Sequence, residues 1–131
     1  MHGARGGHGR LSAPVRRLSG GRVGPYRLVA NEVAIGITMP YAAVEILRQR
    51  LTPASFSRAV ALAETFSPED AVAAGFLDRA VEPARVWDVA RGTAESLAGL
   101  DLAAHAASKL RARRHTLEAV RAGIAEEFGT R

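Results

Sequence analysis

The chain has 131 residues, 47% of them hydrophobic, no cysteine, and a formal charge of +5. That length suits one domain of ordinary size. The absence of cysteine excludes a disulfide frame and thiolate chemistry, and no apolar run approaches the ~20 residues of a membrane span.

The charge is concentrated at one end. Residues 1–22 hold Arg5, Arg10, Arg16, Arg17 and Arg22 and no acid, and the remaining 13 basic and 13 acidic residues cancel. The same stretch is rich in glycine, so it buries too little apolar surface to offset its ordering entropy. Residues 1–23 are therefore expected to be a disordered Gly/Arg-rich head outside the fold. An RNA-binding arm of this kind would interleave aromatics for stacking, but the first aromatic is Tyr26. A nucleic-acid partner is not expected. The head has no apolar segment of the secretory kind, and a chain without cysteine fits the reducing cytoplasm, the expected location.

From Pro25 onward, apolar and polar blocks alternate. Residues 26–29 are a short strand candidate. Residues 31–40 (NEVAIGITMP) read as a loop or strand end, with Gly36 and Pro40 as breakers. Residues 41–50 predict a helix with Ala43, Val44, Leu47 and Leu51 on one face. Thr52-Pro53 is a hydroxyl cap followed by a first-turn proline, and it starts the next helix, whose stripe is Phe56, Val60 and Ala63. Ser67-Pro68-Glu69-Asp70 repeats the signal in capping-box form, with Gly75 as the stop. Residues 76–81 predict a strand or extended link. Pro83 opens a helix with Val86, Val89, Ala90, Thr93 and Leu97 on its face. Asp101 caps a last helix with Leu110, Leu117, Val120, Ile124 and Phe128 on one side. The pattern is mainly helical, with one or two short strands too far apart in sequence to make a sheet of their own. That suggests a piece of a larger fold.

Four blocks carry a family resemblance: residues 31–40, residues 50–83 (RLTPASFSRAVALAETFSPEDAVAAGFLDRAVEP), SLAGLD at 96–101, and HAASKLRARRHTLEAVRAGI at 105–124. In that order they resemble the second half of the enoyl-CoA hydratase/isomerase (crotonase) family. SPEDAVAAGFLD, residues 67–78, is the most specific segment. The resemblance implies an α/β crotonase-like fragment of the ClpP/crotonase superfamily, with residues 24–131 as the C-terminal half of the domain. It also implies an acyl-CoA or enoyl-CoA substrate of fatty-acid metabolism, and a parent that is a homo-oligomer, trimer or hexamer. No separate cofactor is implied, since coenzyme A arrives as part of the substrate, and neither is a membrane partner.

The family's chemistry needs backbone N–H groups that hold the thioester oxygen as charge develops, and carboxylates that move protons at the α, β or γ carbons. The resemblance places the oxyanion hole in the first half of the family's chain. It places a carboxylate where Glu32 stands, so Glu32 is the catalytic candidate. The alternative for Glu32 is a surface residue that caps or pairs with Arg27. Lys109, with Arg111, Arg113 and Arg114, lies where the family can hold CoA phosphates, and charged phosphate contacts suit these side chains. The alternative is a solvated helix face balanced by Glu118, Glu126 and Glu127. His105 and His115 read as surface or packing residues, and no metal-ligand spacing occurs.

A legal choice of codons for residues 1–20, read one base later, gives G-H-A-V-A-M-G and, further on, D-Y-R. Those strings resemble the family's oxyanion-hole strand and its continuation, so the head reads as a frame-shifted version of that strand. In the shifted reading the family's first glutamate position is apolar. The Glu32-type carboxylate then stands alone, as in the isomerases of the family. The alternative from another class is a non-catalytic helical oligomerisation or interaction module derived from the same family.

Overall fold

Hydroxyl-proline pairs set two of the helix starts. In the computed structural model, which describes residues 20–129, Thr52 Oγ1 accepts from the Ser55 N–H, and α2 runs Pro53–Leu62. Ser67 Oγ accepts from the Asp70 N–H, and α3 runs Pro68–Ala74. In both, the first-turn proline has no N–H that would go unbonded there. The first helix, α1, is Tyr41–Arg50. After a 3-10 turn at Pro83–Arg85 come α4, Val86–Ala98, and α5, Leu102–Phe128. The Asp101 carboxylate accepts from the Ala104 N–H and caps α5.

Two strands complete the order. β1, Gly20–Arg22, pairs in parallel with β2, Arg79–Val81, with Gly20 opposite Arg79. The pairing continues as Val23 N–H donates to the Val81 carbonyl. The expected head of residues 1–23 therefore contributes its last residues to the fold, and residues 1–19 lie outside the described region. The strand expected at 26–29 is reduced to one antiparallel bridge, in which Leu28 and Phe66 exchange both backbone bonds at 2.9 and 2.8 Å. The expected 76–81 strand shortens to its last three residues, because Leu77 N–H turns back to the Ala71 carbonyl at the end of α3.

The core lies where the end of α1 meets α2 and α3. Leu51, Ala59, Phe66, Ala71, Ala74 and Leu77 form it, with Leu28, Leu47, Phe56, Val72 and Phe76 packed around. Phe66 and Phe76 meet with ring centroids 5.1 Å apart, tilted at 55°, a geometry aromatic pairs favour. Burying a side chain such as Leu51 or Phe66 contributes about 1.5–3 kcal/mol. Gly75 permits this packing. Its φ is +106°, and a Cβ there would sit 2.5 Å from the Arg50 carbonyl oxygen. The Arg50 guanidinium also holds the Asp78 carboxylate at 2.8 Å, and the Thr52 N–H donates to the Ala74 carbonyl. The chain leaving α1 is thus fixed at three points to the end of α3 and the turn that follows it.

The start of α1 is held by α5. Pro40 offers no side-chain acceptor for the helix N-terminus. The Glu127 carboxylate accepts the Tyr41 N–H at 2.9 Å instead, and Glu126 accepts the Tyr41 hydroxyl at 2.9 Å. A negative charge at a helix N-terminus is favourable. The helices approach closely at Gly123, where a Cβ would lie 2.5 Å from the Tyr41 Cβ.

Of the apolar face read on the last helix, Val120 is half-buried, but most of the face is left uncovered. α5 has 27 residues against 10 in α1, about 40 Å against 15 Å, so α1 covers only part of its length. Leu110, Ile124 and Phe128 remain exposed. Leu110, Leu117 and Ile124 recur every seven residues, a stripe that no element among the described residues covers.

Candidate functional site

The site is built on the loop that leads into α1. One end of that loop is fixed by the Leu28–Phe66 bridge, and the other by buried Met39 and the docked Tyr41. Between them, Val33–Ile35 form a single 3-10 turn that rests against α2. The Ile35 N–H is shared between the Asn31 and Glu32 carbonyls at 3.2 and 3.1 Å. The Gly36 N–H donates to the Val33 carbonyl at 3.2 Å, and the Ile37 N–H to the Glu32 carbonyl at 2.8 Å. Gly36 is left-handed, φ +78°. This pair of bonds around one left-handed residue is the Schellman closure, and the Glu32 carbonyl accepts the outer of the two.

The Glu32 side chain is half-buried. Its Oε2 is screened from solvent and accepts no hydrogen bond. No ion pair joins Glu32 to Arg27 among the described residues, and the Arg27 guanidinium donates to the Tyr26 carbonyl. Val33, Ile35 and Ile37, which follow Glu32 in the turn, are exposed. Leaving a buried oxygen unsatisfied is costly, so such an atom calls for an explanation, of which proton transfer is one.

Lys109 lies on α5, half-buried, with Arg113 also half-buried and Arg111 and Arg114 exposed. No hydrogen bond or ion pair joins Lys109 to Glu32 among the described residues. One turn before Lys109, the His105 ring places a screened Nε2 with no partner. His115 is exposed, its Nδ1 3.8 Å from Glu118. Among the described residues, no group of His, Cys, Asp and Glu could hold a metal ion, and no helix is long and apolar enough to cross a membrane.

Sequence reasoning missed the polar joints that hold this loop. The Tyr41–Glu126 and Tyr41–Glu127 bonds span 85 and 86 residues, and Arg50–Asp78 spans 28. The only local hint was Gly123, a helix-interior glycine that tolerates close approach at a cost in propensity.

No family model and no curated protein matches the chain. Solved structures do. An enoyl-CoA hydratase of Mycobacterium ulcerans is 50% identical with a TM-score of 0.74, over 79% of this chain and 45% of its own. An enoyl-CoA isomerase of Mycobacterium tuberculosis is 49% identical with a TM-score of 0.76, over 82% of this chain and 49% of its own. An enoyl-CoA hydratase/isomerase family protein of Pseudomonas syringae is 39% identical with a TM-score of 0.80, over 82% and 46%. The chain spans less than half the length of these solved chains and corresponds to their C-terminal part.

Proposed function

We propose that this chain, which belongs to the enoyl-CoA hydratase/isomerase (crotonase) family, carries the proton-transfer half of an acyl-CoA site, with Glu32 as its proton carrier. The observation that carries the reading is the Glu32 carboxylate, half-buried on a closed turn with Oε2 screened and unpaired. The Glu32 carboxylate would take a proton from the carbon α to the thioester. The electron pair moves onto the thioester oxygen, the double bond shifts, and the same proton returns at the γ carbon. A single carboxylate suffices for that isomerisation. Hydration needs a second group to position water, so isomerase is the first reading and hydratase the second.

The donors that would stabilise the thioester oxygen belong, by family resemblance, to the first half of the family's chain. Loss of one such donor costs roughly 10²–10³ in rate in other enzymes, so residues 20–129 in isolation are expected to turn over poorly. Lys109 would meet the CoA phosphates, and coenzyme A enters as part of the substrate, with no further cofactor. The apolar stripe on α5 that recurs every seven residues supports a homo-oligomeric parent, trimer or hexamer. The same exposed stripe supports the rival to any acyl-CoA reading, a non-catalytic interaction module.

Calorimetric titration with a medium-chain enoyl-CoA separates the two. Saturable binding weakened by Lys109→Ala supports the acyl-CoA reading. No binding by a folded chain supports the interaction module.

A further inference from the structure

We infer that Gly36 is a positioning residue for the Glu32 carboxylate, acting through backbone handedness alone. The inference rests on the proton-carrier reading of Glu32.

Glycine serves two purposes in folds: close approach, where a Cβ would collide, and a left-handed φ, which other residues adopt at a cost. At Gly36 the two separate. A Cβ built there meets nothing within 4 Å, so space is not the reason for glycine. The backbone is left-handed, φ +78°. At Gly75 the two coincide, with φ +106° and a Cβ colliding at 2.5 Å.

The left-handed turn acts on Glu32 in particular. Rotation at Gly36 brings the next amide, Ile37 N–H, onto the Glu32 carbonyl at 2.8 Å, the shortest bond of the turn. The Ile35 N–H reaches the same carbonyl at 3.1 Å. Two amides therefore converge on the backbone of the residue whose side-chain Oε2 is buried and unpaired. No side-chain hydrogen bond or ion pair of Glu32 takes over this role among the described residues. Its direction is set by the backbone, and the backbone is closed by Gly36. A residue that leaves the left-handed region removes the Ile37 bond and releases Glu32 from the turn. Asparagine, which enters that region readily, should keep it closed.

The test is carboxylate labelling of the 131-residue chain with a water-soluble carbodiimide and an amine, read per residue by peptide mass spectrometry. A screened Glu32 labels slowly. Gly36→Asn should leave its rate within about twofold of the unaltered chain, Gly36→Ala should raise it, and Gly36→Val should raise it roughly tenfold, following the cost of left-handed backbone. Asp78, held by Arg50 just beyond α3, is the internal control. If its rate rises in Gly36→Val, that variant has unfolded, and the order of Asn against Ala decides. Equal Glu32 rates in the Asn, Ala and unaltered chains overturn the inference. Labelling does not depend on turnover, so the expected order together with a dispensable Glu32 would leave the positioning intact and sink the proton-carrier reading alone.

Discussion

Replacing Gly123 by alanine sets two effects of one methyl group against each other. In an open helix, alanine is favoured over glycine by about 0.5–1 kcal/mol. At Gly123 the new Cβ would sit 2.5 Å from the Tyr41 Cβ and 3.4 Å from its Cγ. Those atoms are the stem of the tyrosine, whose backbone N–H and hydroxyl are both held by α5, so the neighbour cannot swing aside without breaking them. Overpacking of this kind costs about 1–3 kcal/mol. A net loss of roughly 0.5–2 kcal/mol is expected, which lowers the melting temperature of a chain this size by several degrees. The control is Gly92→Ala in α4, where a Cβ meets nothing within 4 Å. That change should raise the melting temperature by a few degrees. Thermal unfolding followed by circular dichroism compares the two. Equal stabilisation by both substitutions would show that α1 does not dock on α5 at Gly123, and the anchoring of the Glu32 loop at Tyr41 would fall with it.

Ser67→Ala removes the acceptor for the Asp70 N–H and should cost about 1 kcal/mol in chemical unfolding, while Ser67→Asp should keep most of it. Gly75→Ala meets both a φ of +106° and the Arg50 carbonyl at 2.5 Å, so it should cost about 2 kcal/mol or more; an unchanged unfolding midpoint would refute the fixing of α1 to α3. The Tyr41 phenol is raised above its ordinary 10.0 by its hydrogen bond to Glu126, and further by the charges of Glu126 and Glu127. The neutral phenol is the form the fold favours, so its contribution is present below pH 10 and lost as pH rises through the folded-state value. An ultraviolet titration should place Tyr41 above 10 and move it back towards 10 in Glu126→Gln.

Helix starts were legible because their signals are local. Thr52-Pro53 and Ser67-Pro68 each place a side-chain acceptor three residues before the N–H it bonds, and the structure starts α2 and α3 at those prolines. Strands were harder, because a strand is defined by its partner. Residues 26–29 have strand composition, yet only Leu28 finds an opposite residue, and Gly20–Arg22, which read as part of a featureless head, pairs with Arg79–Val81. On α5 the periodicity identified an apolar stripe correctly but not its use. α1 docks instead along the side marked by Gly123, while Leu110, Ile124 and Phe128 stay exposed. The resemblance of NEVAIGITMP to the family made Glu32 a candidate, and its role stands as a proposal. The screened Oε2 of Glu32 and the Gly36 closure were not legible, since both depend on φ angles and neighbours that no local pattern encodes.

The most direct test of the account joins residues 24–129 to the first part of the Mycobacterium ulcerans relative, in place of that protein's matched C-terminal part. The chimera is assayed for double-bond migration in a medium-chain 3-enoyl-CoA, with and without Glu32→Gln. The account predicts turnover by the chimera that falls about 10²–10⁴-fold in Glu32→Gln, with KM changed little. Full turnover by the Glu32→Gln chimera would contradict it.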